Sequence, residues 1–194
     1  MNAFETIKQV ILQRRSNKPP QMNGKKIDDA IIEQLLELAD WAPTHANTEP
    51  WRFVVYSNDG VKKFCADHAE LYKKTTPEEK YIQATYDKFL HMGDMVSNVI
   101  AVYMKRGSNP NIPALEEIAA TSAAVQNILL GAQALDIAVL WSTGGRILHP
   151  AMKEYLGLAE EDVVMGVLYM GYTDKPATEG KRLVPLNEKV VYHK

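Results

Sequence analysis

Residues 118–135 read IAATSAAVQNILLGAQAL, eighteen positions without a charge. A helix with no charged side has nothing to present to water, so lipid or protein must enclose it. The run approaches the roughly 20 residues that cross a bilayer. Thr121, Ser122, Gln126, Asn127 and Gln133 would each strand polar atoms in hydrocarbon, which argues against a span. A helix at 115–135 buried in protein is therefore expected, and the other elements must wrap it. The chain has the material, since 46% of its 194 residues are hydrophobic and 24% charged, enough for one sizeable core. One domain over 1–194 is expected. The small residues at 119–124 let another backbone come close, whether from a second subunit or from the same one.

Residues 3–15 read as an amphipathic helix with Phe4, Ile7, Val10 and Ile11 on one side. Asp28 is placed to cap a second helix running to Trp41, with Ile31, Ile32, Leu35, Leu36 and Ala39 as its buried stripe and Pro43 beyond its end. WRFVVY, at 51–56, is aromatic and β-branched and predicts a strand. Residues 61–92 look helical but lysine-rich, with a break at TTP, and predict a surface excursion or lid extending to about 95. NVIAVYMK, at 98–105, is the continuous apolar kind of strand that is buried on both faces. A short strand, IAVLW, follows the uncharged helix and leads into the turn STGGR. A brief helix, AMKEYLG, precedes the most hydrophobic strand, at 163–172. The tail, from about 174, has little periodicity and is expected to lie over other elements or over a partner. About four strands among five or more helices make an α+β or α/β pattern.

Several function classes lose support at once. A net charge of -2 gives no electrostatic reason for nucleic acid or an anionic membrane as partner. The single cysteine, Cys65, excludes an intramolecular disulfide and fits a reducing compartment. The start MNAFETIKQVILQRR lacks an uncharged signal core, so a cytoplasmic location is expected. There is no G-x-G-x-x-G after a strand and no P-loop, so any nucleotide must be held otherwise. The five histidines show no metal-ligand spacing, and no metal site is expected. No G-x-S-x-G elbow occurs, and Cys65 reads as a bystander thiol.

Three clusters remain, each with a plain and a sharper explanation. RRSNK, at 14–18, either complements the negative end of a helix or forms an anion site, because arginine forks bind phosphate bidentately and Ser16 and Lys18 add a donor and a charge. WAPTHANTEPWRF, at 41–53, is either a capped helix end before a strand or a rigid polar loop built to receive a ligand. WSTGG, at 141–145, is either a turn or a strand end where glycine lets a flat ligand approach backbone N–H groups.

In this order and spacing, QRRSNK, APTHANTEPWRF, WSTGG and GYTDKPATEGKR resemble the FMN-dependent nitroreductase family, in particular its shorter branch, over nearly the whole chain. The resemblance implies an α+β three-layer sandwich, a central mostly antiparallel sheet flanked by helices, in an intertwined homodimer with FMN bound at the interface. Arg14 and Ser16 match positions at the FMN phosphate, with Arg15 beside them, and Lys18 matches a position near the flavin pyrimidine edge. Thr44, His45 and Asn47 match a segment that reaches FMN from the second subunit. Trp141, Ser142, Thr143 and Gly144 match the segment facing the isoalloxazine, and Lys181 or Arg182 would complete the phosphate site. Two departures stand out: Glu49 where many relatives have glutamine, and Thr-Gly at 143–144 where the longer branch has Glu-Gly. The implied activity is ping-pong transfer of hydride from NADH or NADPH through flavin N5 to a nitroaromatic, quinone or enone, a small-molecule acceptor. No catalytic side chain is required, because the cofactor carries the chemistry. The alternatives are a flavin- or nucleotide-binding module without turnover and a cofactor-free hydrolase using Ser142 or Cys65.

Overall fold

Asp28 accepts a hydrogen bond from the Ala30 N–H at 2.9 Å and so starts a helix where the capping pattern predicts one. The computed structural model describes residues 2–194, and among them are six α-helices and four strands. They run α1 (Ala3–Gln13), α2 (Asp29–Asp40), β1 (Trp51–Ser57), α3 (Asp59–Thr75), α4 (Gln83–Leu90), β2 (Asn98–Met104), α5 (Ala114–Ala134), β3 (Ala138–Ser142), α6 (Pro150–Tyr155) and β4 (Val163–Gly171). The strands form one antiparallel sheet in the order β1-β2-β4-β3. β1 and β3 are therefore its two opposite edges.

The two-residue period of a strand divides the core into two layers. Ile100, Val102, Leu168, Met170 and Val139 point to one side and meet the apolar stripes of α2 and α5. Val99, Ala101, Val167, Tyr169 and Ala138 point to the other and meet α3 and α6. The result is the expected α+β sandwich of three layers, helices over both faces of an open sheet. β2, at its centre, is buried along nearly its whole length, as its unbroken apolar run predicts.

The uncharged run forms all of α5 beyond its first turn. Its Ala120, Ala124, Val125, Ile128, Leu129 and Ala132 are buried against α2 and the sheet. No described helix is long and apolar enough to cross a membrane. The last charge before the run, Glu117, is itself buried. It accepts from Arg106 Nη1 at 2.6 Å and from the Gly107 N–H at 3.1 Å, so its charge is fully partnered.

Two segments differ from expectation. α1 ends at Gln13 because Arg14 turns to extended backbone (φ -56, ψ 127), and none of its residues is buried. α3 is no surface element: Val61, Phe64, Cys65, His68, Ala69, Leu71 and Tyr72 are buried in the second core layer. Its lysines point the other way, which is how a helix rich in charge still contributes a full apolar face.

Candidate functional site

After α1 the chain runs alongside β3. Ser16 bridges Val139 in parallel, and the Asn17 N–H donates to the Val139 carbonyl at 2.9 Å. This short pairing brings the cationic cluster at 14–18 to the strand that leads into WSTGG, more than a hundred residues later. Lys18 and Pro19 then face Ser142, Gly144 and Gly145 across a cleft of about 240 Å³. Lys88, Phe89 and Met92, from α4 and the turn after it, close a third side, and Tyr169 of β4 lies beneath.

Strand alternation decides which side chains reach this cleft. Leu140 and Ser142 do, whereas Trp141 faces the opposite side of the sheet and packs with the α2–α5 layer. Its indole N–H donates to the Met165 carbonyl at 2.9 Å. The ring lies over Gly166, where an added Cβ would sit 2.5 Å from the indole nitrogen. Trp141 thus anchors the strand and offers the cleft only its backbone.

The turn after β3 holds its carbonyls inward. The Gly144 carbonyl accepts from the Ile147 N–H at 3.2 Å, and the Gly145 carbonyl accepts from His68 of α3. Among the described residues, the N–H groups of Gly144, Gly145 and Arg146 donate to nothing. Gly145 (φ +62) and Arg146 (φ +73) both occupy the left-handed region, and a Cβ at Gly145 would collide with the Phe89 ring. A Cβ at Gly144 would meet nothing within 4 Å. A turn whose carbonyls are occupied and whose amides are not is suited to an electron-rich ligand atom. Lys18, at the cleft wall, adds positive charge.

The phosphate-site candidates are only partly assembled within one chain. Arg14 is half-buried and Ser16 exposed. Arg15 is engaged elsewhere: its Nε donates to the Thr178 carbonyl at 2.8 Å and its Nη1 to the carbonyls of Leu12 and Arg14 at 2.8 and 2.9 Å. Arg15 therefore pins the tail against the end of α1. The start of the tail is also held, by the Asn23 N–H on the Tyr172 carbonyl at 2.8 Å and Asn23 Nδ2 on Asp174 at 2.9 Å. Lys181 and Arg182 are exposed, and Arg182 donates only to the Lys181 carbonyl, at 3.0 Å.

Thr44, His45 and Asn47 stand apart from the cleft, at the β1 edge of the sheet. Their loop is tightly made. Thr44 and Thr48 share a hydroxyl contact of 2.9 Å, the Glu49 N–H donates to Thr44 at 3.1 Å, and His45 Nδ1 meets Glu116 of α5 at 2.5 Å. Ala46, Asn47 and Glu49 all have φ between 42° and 53°, a concentration of left-handed backbone that marks a shaped loop. Trp51 secures it from below by donating to Asp40 at 3.0 Å.

Cys65 is buried, and burial, with a smaller contribution from Asp94, pushes its thiol up from 9.0 to about 12. A thiol that is buried and held protonated makes a poor nucleophile. Among the described residues no hydrogen bond links Ser142 to a histidine, and no cluster of metal-ligating side chains forms. His68, Phe89 and Tyr169 were not singled out by motif. The signal for His68 was its place on the stripe Val61, Phe64, Cys65, His68, Leu71, Tyr72, which has the 3.6-residue period of a buried face.

Fold and cleft together define a class: an α+β protein whose site offers backbone amides and cations for a ligand. Residues 11–172 match the Nitroreductase family, and the chain belongs to that family. It is 30% identical to a nitroreductase-like family protein from Bacillus cereus, whose structure superposes with a TM-score of 0.84 over 100% of this chain and 99% of that one. A Bacillus subtilis (strain 168) protein provisionally named NAD(P)H nitroreductase YfhC is 26% identical over 190 residues, 97% of this chain and 95% of its own. The fold is shared as well with a Desulfovibrio desulfuricans protein solved in complex with FMN, at 24% identity and a TM-score of 0.73 over 100% of this chain and 98% of that one.

Proposed function

We propose that the protein is an NAD(P)H-dependent FMN oxidoreductase acting as a homodimer. The observation that carries this reading is the meeting of Lys18 with the amide-presenting turn at 144–146 in one cleft, in a chain of the nitroreductase family. When bound, FMN supplies two-electron redox chemistry, reduced by NADH or NADPH and reoxidised in a ping-pong cycle by a nitroaromatic, quinone or enone. The chain's own residues bind and orient. Lys18 offers a fixed positive charge where the flavin pyrimidine edge becomes electron-rich on reduction. Ser142, Thr143 and Gly144, with the backbone of Trp141, face the ring. Arg14 and Ser16 hold the phosphate, joined by Lys181 or Arg182. Arg15 acts by fixing the tail.

Strand order supports the dimer. The loop of Thr44, His45 and Asn47 leads into β1 and the cleft adjoins β3, strands that lie at opposite edges of the sheet and roughly 14 Å apart across three strand spacings, which favours their meeting across a subunit interface. A second copy supplies the loop across a two-fold axis. The apolar face of α1 and the tail from about 174, with Leu183, Leu186 and Val191 exposed, are the surfaces it would cover. We read residues 1–194 as one FMN-binding unit in which α4 is the part of the 61–95 segment that borders the site. A reducing, cytoplasmic setting agrees with the lone buried thiol.

The test is an absorbance spectrum of the purified protein, with mass identification of any chromophore released on denaturation, then anaerobic addition of NADH or NADPH. Stoichiometric FMN that bleaches with reduced nicotinamide and recovers with a nitroaromatic or quinone is expected. FMN that never bleaches would make the protein a binding module. A colourless protein that refuses added FMN would overturn the reading.

A further inference from the structure

His68 stands on the buried face of α3, 2% exposed, among aromatic rings. Phe64, one turn earlier, lies 6.0 Å away between ring centroids, and Phe89 of α4 lies 4.5 Å away at 31°. Leucine would satisfy such a place. A histidine there brings two nitrogens out of water, and both must be partnered. Nε2 meets the Gly145 carbonyl, which can only accept, so Nε2 carries the proton. Nδ1 lies 3.4 Å from the Tyr169 hydroxyl and accepts from it. Burial holds the ring's pKa below 6.5, so it is neutral at pH 7 and the two partners select one tautomer.

The partner on Nε2 belongs to the turn that borders the cleft. Phe89 fills the space under Gly145, Ile147 holds the Gly144 carbonyl, and His68 holds the Gly145 carbonyl. The amides at 144–146 are the groups left over. Building on the flavin reading above, we propose that His68 is a positioning residue: as the Nε2–H imidazole it ties the Gly145 carbonyl inward and so holds the other end of that peptide plane, the Arg146 N–H, outward for the flavin in the cleft. His68 touches neither substrate nor cofactor. It acts through a peptide plane, which rotates if the carbonyl is released.

The experiment compares wild type, His68→Phe and His68→Gln as full-length protein. It measures FMN affinity by flavin fluorescence, the midpoint potential of bound FMN, and the ring protonation of wild-type apo-protein by ¹⁵N NMR. Phenylalanine keeps the bulk and removes the donor; glutamine restores an N–H. His68→Phe is expected to weaken FMN binding about tenfold, the effect of leaving a buried carbonyl unpaired, and to lower the potential by withdrawing the Arg146 amide from the reduced ring. His68→Gln is expected to lie within about threefold of wild type. The ring should show Nε2 protonated and Nδ1 bare. Unchanged affinity and potential in His68→Phe, or glutamine as impaired as phenylalanine, would reduce His68 to packing. A variant that does not fold is replaced by Tyr169→Phe, which releases Nδ1 alone and should shift the potential in the same direction by less; no shift there overturns the proposal. If wild type takes up no FMN, the flavin reading fails, and the pairing stands or falls on the NMR tautomer.

Discussion

α1 and α3 carry opposite disguises. AFETIKQVILQ has the spacing of a core helix, yet Phe4 is 69% exposed, Ile7 58% and Leu12 61%. DGVKKFCADHAELYKKT looks like a solvated helix and buries seven residues. The lesson is that periodicity says a face will be covered and leaves open what covers it. The protomer covers α3, whose lysines and acids sit on its outer side and include the pair Lys63–Asp67 at 2.7 Å, its lysine exposed and its aspartate half-buried. In the proposed dimer a second copy covers α1.

That contrast can be attacked at its strongest point first. Phe64→Ala, which empties a fully buried site in the α3 layer, should cost about 3–5 kcal/mol in urea unfolding. A cost below 1 kcal/mol would make α3 the surface element its composition imitates. The second test uses the thiol on the same face. Because folding raises Cys65 to about 12 from 9.0, the folded state resists losing that proton. Stability from this group is complete below pH 9 and should fall, by up to about 1.4 kcal/mol per pH unit, as pH rises from about 9 to about 12. Melting temperature against pH checks this, and Cys65→Ala should flatten the slope. The smallest energetic effect belongs to α1. Ile7→Glu with Ile11→Glu should leave protomer stability within about 0.5 kcal/mol while shifting the protein from dimer to monomer in sedimentation. A large loss of protomer stability would mean that α1 is held by its own chain.

The elements were mostly legible in the sequence because local rules set them. Asp28 capped where its side chain allows, WRFVVY became β1, and the apolar run at 98–105 became the central strand β2. The candidate site was legible in pieces. RRSNK and WSTGG each announced a ligand-like pattern, but their meeting depends on the Ser16–Val139 bridge, a long-range pairing that no local signal encodes. Trp141 belongs to the segment expected to face the ligand; which side of the sheet its side chain takes follows from strand alternation and register with β4, and Gly166 leaves room for the indole there. Phe89 and His68 stayed hidden because each matters through the turn it supports rather than through a motif of its own.

The strand order has a further consequence, one of inheritance. If a site is made from the β3 edge of one chain and the β1 edge of another, a chain damaged at Arg14 and a chain damaged at Asn47 are defective in different halves. Homodimers of either variant have no intact site. A mixed dimer gathers both lesions into one of its two sites and leaves the other whole, so two inactive alleles expressed in the same cell would restore activity to each other.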